Sequence, residues 1–115
     1  MSQPNPNIHV TVTFRHTDPT PALRTYATEK IAHVIARYTG YDVEAQIVLS
    51  VVKRDHNAEI KLRSKQYDLS ASATTGDLYS AIDKMVDNVD TQLRKQKEKQ
   101  YDRKHQPSMP LEPLE

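Results

Sequence analysis

A chain of 115 residues has room for one domain around one hydrophobic core, and with 37% hydrophobic residues, no Trp, one Phe and a mean hydropathy of −0.75 that core must be thin and largely aliphatic. The absence of cysteine removes disulfides, thiolate metal sites and cysteine nucleophiles together. No run of about 18 apolar residues offers a membrane span, residues 1–7 lack the basic and apolar regions of a secretory signal, and cytoplasm is the default compartment.

Ile8 to Phe14 alternates strictly, with Ile8, Val10, Val12 and Phe14 opposite His9, Thr11 and Thr13, which predicts a strand with one buried face. Thr20-Pro21 suits a helix start, Thr as the capping residue and Pro where its missing N–H costs nothing. The helix carries Leu23, Ala27, Ile31, Val34 and Tyr38 at helical spacing and is expected to end at Gly40. Ala45 to Lys53 reads as a second strand, apolar on both faces and therefore central. A turn is expected at Asp55-His56-Asn57, followed by a third, half-exposed strand in which Ala58, Ile60 and Leu62 alternate with Glu59, Lys61 and Arg63. After a turn at Ser64-Lys65-Gln66, Tyr67 to Thr74 forms a fourth strand, with Tyr67, Leu69, Ala71 and Ala73 on its apolar face.

Thr75-Gly76-Asp77 breaks that strand, and Asp77 is placed to cap a second helix. Leu78, Ile82, Met85, Val86, Val89 and Leu93 form its stripe, and nothing interrupts it until about Lys104. Pro107, Pro110 and Pro113 keep the remainder non-helical. The expected organisation is a flexible N-terminus at 1–7, a single domain at 8–105 and a disordered, proline-containing tail at 106–115. The order βαβββα predicts an α+β fold: a crossover pairs the first two strands in parallel, and short turns make the rest an antiparallel meander. Two roughly parallel helices then cover one face of a four-stranded mixed sheet.

The net charge of +1 conceals an asymmetry. Residues 1–93 carry ten Lys/Arg against eleven Asp/Glu, residues 94–105 carry six against two, and residues 106–115 carry only two acids. A basic helix end points either to a polyanion partner or to a plain solvated terminus. At roughly 100° per residue, the second helix sets Asp83, Asp87 and Asp90 on one flank of its stripe and Lys84, Asn88, Lys95 and Lys99 on the other. In the first helix, Tyr26, Lys30, His33 and Arg37 stack along one flank. If the two basic flanks face each other they line a groove, which with Asn88, Thr91 and a nearby Tyr suits phosphates and 2′-hydroxyls. The alternatives are a core-edge role for Tyr26 and snorkelling for Lys30 and Arg37. Lys61, Arg63 and Lys65 form a weaker cluster that reads as a charged strand edge.

Enzymatic chemistry has little support. Gly40 and Gly76 are the only glycines, so no phosphate loop exists. His9, His16, His33, His56 and His105 are scattered without metal-ligand spacing, and Asp83 and Asp87 sit on a helix surface with no cleft predicted around them. No catalytic residue, metal ligand or cofactor is expected. A different class of function is a protein-interaction module that uses Asp83, Asp87, Asp90 and the tail.

The segment Asp77-Leu-Tyr-Ser-Ala-Ile-Asp83, running into Gln92-Leu-Arg-Lys-Gln-Lys-Glu-Lys99, resembles the ribosome hibernation-promoting factors and related ribosome-associated inhibitors of bacteria. Thr20-Pro-Ala-Leu-Arg24, followed by Lys30, matches the start of that family's first helix, and the resemblance covers about Ile8 to Lys104. It implies a fold like that of double-stranded-RNA-binding domains. It also implies a translation inhibitor, monomeric when free, that occupies the mRNA and tRNA channel of the small ribosomal subunit in stress or stationary phase. The partners implied are the small subunit with its rRNA and whole ribosomes, without membrane or small-molecule substrate. By position the resemblance implies rRNA contacts from Arg24, Lys30, Lys84, Arg94, Lys95, Lys97 and Lys99, joined on the helix flanks by His33, Arg37 and Asn88. His33 stands where close relatives often carry Lys. Asp77, Tyr79 and Asp83 match motif positions with structural roles expected: Asp77 as helix cap and Tyr79 packed at the sheet edge. Long family members add a C-terminal dimerisation domain for which this chain has no room, so the resemblance implies a short form or an isolated N-terminal domain. The sequence 110–115 only faintly echoes the acidic extension of some short members.

Overall fold

A computed structural model of the protein describes residues 8–38, 42–65 and 67–105, with residues 100–105 described by backbone alone. Gly40, Gln66, the stretch 1–7 and the tail 106–115 lie outside the described residues. The elements are β1 (Ile8–Arg15), α1 (Pro21–Tyr38), β2 (Val43–Val52), β3 (Asp55–Ser64), β4 (Asp68–Thr75) and α2 (Leu78–His105). The sheet order is β1-β2-β3-β4, with β1 parallel to β2 and the other pairs antiparallel. This is the expected α+β arrangement, with β2 in the interior of the sheet as expected. Only one of its faces is buried, however, because both helices lie on that side and Glu44, Gln46, Val48, Ser50 and Val52 on the other face are exposed or half-buried.

The covered face of the sheet is an alternating set: Val43, Ala45, Ile47 and Leu49 from β2, Ala58, Ile60 and Leu62 from β3, and Leu69 from β4 are all buried. Against them pack Ile31 and Ile35 of α1 and Ile82, Met85, Val89 and Leu93 of α2, all fully buried. At about 1.5–3 kcal/mol for each large aliphatic side chain removed from water, this layer is the main stabilising term.

Both helix starts are capped as expected. Leu23 N donates to Thr20 Oγ1 at 3.1 Å. Ser80 N donates to Asp77 Oδ1 at 2.9 Å, and the Ser80 hydroxyl donates to Asp77 Oδ2 at 2.9 Å. Those bonds from the Ser80 backbone and side chain hold the Asp77 carboxyl below its ordinary value.

One turn differs from expectation. The chain reverses at Lys53-Arg54, whereas Asp55, His56 and Asn57 open β3, opposite Val52, Val51 and Ser50. Of the three turn-like residues, Asn57 is satisfied inside the sheet: Asn57 Nδ2 donates to Ser50 Oγ at 3.4 Å, and Thr74 Oγ1 donates to Asn57 Oδ1 at 2.6 Å, whereas the buried His56 Nδ1 has no hydrogen-bond partner among the described residues. The position that bends the backbone is Lys53, at φ 58°, a left-handed conformation held without glycine and so without its sequence signal.

The outer strands are closed by helix side chains. Arg24 Nη1 donates to the Val12 carbonyl on β1 at 3.0 Å. On β4, Asn88 Nδ2 donates to the Ser72 carbonyl at 3.1 Å and Gln92 Nε2 to the Ser70 carbonyl at 2.9 Å. Occupied edge carbonyls are unavailable to a foreign strand. No described helix is long and apolar enough to cross a membrane.

Candidate nucleic-acid interface

α1 and α2 run in the same direction on the covered face, because the first turns of each meet and so do later ones. The Tyr26 hydroxyl donates to Asp83 Oδ1 at 2.6 Å. Lys30 Nζ lies 3.3 Å from the same oxygen and 5.5 Å from the centre of the Tyr26 ring. The Tyr79 ring packs edge-on to Tyr26, with centroids 5.0 Å apart. Three helical turns further along α1, the Tyr38 hydroxyl donates to Asp90 Oδ1 at 2.5 Å, and Lys97 Nζ stands 6.0 Å from the Tyr38 ring.

The acidic flank of α2 therefore faces α1, and the basic strips of the two helices do not line one groove together. The apolar stripe alone determines which side of α2 is buried. The handedness of the crossover and the place of β4 decide which flank meets α1 and which meets the sheet edge. Asp83 and Asp90 act as rungs between the helices. The Lys30–Asp83 pair is about half exposed on each side, so by itself it is worth no more than about 0.2–1 kcal/mol. Its effect is to set the register of the helices and to use up negative charge.

Turning the acids inward leaves the bases of α2 in two strips. Lys84, Lys95 and Lys99 project from the outer flank, exposed, and none of them makes an ion pair or hydrogen bond with a described residue. On the inner flank the charge changes sign after Asp90, because Arg94 and Lys97 continue the same four- and three-residue spacing. Arg94 and Arg37 both place positive charge near the Tyr38 hydroxyl, and His33 and Arg37 are exposed on α1. The helical segment 94–99 contains no buried residue, so its bases are fully presented.

The remaining expected contacts have other partners. Arg24 holds the β1 edge and stacks 5.3 Å over Phe14. Lys30 is paired with Asp83, and Asn88 is committed to the β4 edge. Asp77 caps α2, the role its position suggested, and Asp83 joins the helices, a role the sequence did not indicate. Tyr79 packs on Tyr26 of α1 rather than at the sheet edge, because α2 turns that flank towards its neighbour helix. Tyr38 and Gln92, read from the sequence as stripe and motif residues, form the second rung and the second edge clamp. Among the described residues no three His, Cys, Asp or Glu side chains gather as for a metal ion.

The rungs make stability fall in alkali. Bonding to Asp90, with burial second, raises the Tyr38 pKa above its ordinary 10.0. Bonding to Asp83 raises both Tyr26 and Lys30. A raised folded pKa means a contribution fully present below the unfolded value of about 10 and lost as pH rises through the folded one. Urea midpoints are therefore expected to hold between pH 7 and 9 and to drop above pH 10. Tyr38→Phe should cost about 0.5–1.5 kcal/mol at pH 8 and shrink the alkaline drop. An equal drop in the variant would show that this rung does not couple stability to pH.

The comparisons with known proteins agree with this geometry. Residues 10–101 match the family described as sigma 54 modulation protein / S30EA ribosomal protein. A ribosome hibernation promoting factor of Pseudomonas putida is 33% identical over 93 residues, covering 81% of this chain and 90% of the relative. That of Azotobacter vinelandii is 34% identical over 96 residues, covering 84% and 89%. That of Escherichia coli K12 is 32% identical over 92 residues, covering 80% and 96%. Among solved structures, the N-terminal domain of Thermus thermophilus Protein Y superimposes with a TM-score of 0.69 at 31% identity, covering 77% of this chain and 97% of that one. With the motif Asp77–Asp83 assigned to a cap, a ring contact and a helix rung, and with the match spanning nearly the whole folded region, the chain belongs to the sigma 54 modulation protein / S30EA ribosomal protein family.

Proposed function

We propose that this protein is a ribosome hibernation factor of the cytoplasm. It binds the small ribosomal subunit in the channel used by mRNA and by tRNA at the A and P sites, and it inhibits translation under stress or in stationary phase by steric competition. No bond is made or broken. The names of its relatives support the hibernation role. The observation that carries the reading is the charge distribution on α2: Asp83 and Asp90 are bonded to α1, while Lys84, Arg94, Lys95, Lys97 and Lys99 remain exposed. Exposed bases along a helix contact phosphates without reading base sequence, which is what recognition of folded rRNA by shape requires. The same observation weighs against a protein-interaction module built on the acidic flank, since two of its three acids already have partners.

Sucrose-gradient sedimentation with purified ribosomes and separated subunits tests the reading. The protein should travel with small subunits and with whole ribosomes, and be released steeply as salt rises, because each phosphate contact releases counterions. Sedimentation with large subunits only, or binding indifferent to salt, would overturn it.

A further inference from the structure

The end of the sheet away from the basic end of α2 carries a second group of exposed basic side chains, gathered at one hairpin tip. Lys53 and Arg54 are the two residues of the β2–β3 hairpin tip, and both are exposed. Beside them the parallel pairing sets Arg15 opposite Ser50, so β1 ends in exposed Arg15 and His16 next to the rising hairpin. None of these four side chains makes a hydrogen bond or ion pair with a described residue. The acids at this end are exposed Asp55 next to Arg54, exposed Asp18 two residues after His16, and Asp77 at the start of α2. Asp77 is committed to its cap on Ser80, and the hairpin tip itself holds two bases beside the single acid Asp55. Val52, at 49% exposure, is one of the two large apolar residues left exposed in the described chain.

Lys53 at φ 58° and His16 at φ 59° are also the only described non-glycine residues with positive φ. A left-handed residue other than glycine costs about 1–2 kcal/mol, and here both such positions carry basic side chains at one corner. Glycine would relieve Lys53 but would remove its charge.

We propose that this hairpin tip, Lys53 and Arg54 flanked by Arg15, is a second RNA-binding site that grips backbone phosphates. α2 starts at this end, after Thr75 paired with His56, and runs away from it. At 1.5 Å per residue, Arg94 lies about 24 Å along the helix from Leu78. The tip and the basic helix end at 94–99 therefore hold two separate stretches of RNA, and the domain is clamped at both ends. An acidic protein surface would meet the same charges. RNA is favoured because the site lies on the domain already carrying the phosphate-binding strips, so both ends engage one polyanion. The proposal rests on the ribosome-binding reading and adds a site to it.

The test uses the full chain with Lys53→Asn and Arg54→Gln combined. Asn tolerates the left-handed backbone, so charge is removed without added strain. Binding to purified small subunits is measured across a salt series, with the thermal midpoint as the folding control. The slope of log affinity against log salt is expected to become shallower by about two, one phosphate for each charge removed. A control pair, Lys61→Gln with Arg63→Gln, removes the same charge from the open face of the sheet and should leave the slope nearly unchanged. A wild-type slope in the hairpin variant, with binding intact, overturns the hairpin site alone. An equal effect in the control pair also overturns it, since net charge then explains the loss. Failure of the wild-type protein to bind small subunits overturns the ribosome reading, and the hairpin site with it.

Discussion

Replacing Lys84, Lys95 and Lys99 together with Glu is expected to abolish co-sedimentation with small ribosomal subunits while moving the thermal midpoint hardly at all. The three side chains lie on the outer flank of α2 and have no described partner, so their removal breaks nothing within the fold. Exposed substitutions of this kind usually change stability by no more than about 0.5 kcal/mol. Binding is another matter. Losing three phosphate contacts should make the salt slope shallower by about three, and the new carboxylates add repulsion against the same phosphates. The comparison that gives the result meaning is the inner strip. Arg94→Gln with Lys97→Gln should weaken binding less, because only two contacts are lost and no charge is reversed. Sedimentation of the triple variant at wild-type levels would remove the outer flank from the interface.

The second large effect belongs to Leu93. It is fully buried and is the last core residue of α2 among those whose side chains are described. Beside it, Gln92 clamps the Ser70 carbonyl of β4, and beyond it come the exposed bases of 94–99. Leu93→Ala should cost about 2–5 kcal/mol, the range for a large aliphatic side chain truncated in a core that relaxes only partly. That is a large share of the 5–15 kcal/mol typical of a whole domain. Because the residue anchors the basic segment, the cost should have a spatial signature. Amide hydrogen exchange in 90–99 should accelerate more than in β2 or β3, as the helix end loses its hold on the sheet before the rest opens. A loss of stability below about 1 kcal/mol, or acceleration spread evenly over the chain, would mean that Leu93 does not anchor the segment.

Much of the fold was legible in residue order. Strict alternation in Ile8–Phe14 and Ala58–Leu62 marked strands, helical spacing marked both helices, and Thr20 and Asp77 marked their starts. These signals are local, and the structure keeps them. The β2–β3 turn was missed for a local reason as well. Asp55-His56-Asn57 has turn chemistry but pairs with β2, its Asn57 bonding to Ser50 and Thr74, while Lys53 bends the chain without the residue type that normally announces a bend. That misplacement hid the basic tip, since Lys53 read as the end of a strand.

The candidate site was half legible. Wheel arithmetic separated the acids of α2 from Lys84, Lys95 and Lys99, and the structure keeps them apart. Which flank would face α1 was not in the wheel. Arg24, Lys30 and Asn88 look the same in sequence as Lys84 or Lys95, yet one holds a strand edge, one an aspartate and one a carbonyl. Partners of this kind lie 12 to 57 residues apart along the chain.

By itself the sequence determined the elements, the apolar stripes, the opposed charge flanks of α2 and the motif that marks the family, because each depends on the spacing of neighbours along a strand or helix. Only the tertiary structure decided that the acids turn inward, towards α1, and that Lys84, Lys95 and Lys99 turn outward. That outcome depends on the handedness of the crossover and on α2 lying between α1 and the β4 edge, and no local spacing contains either.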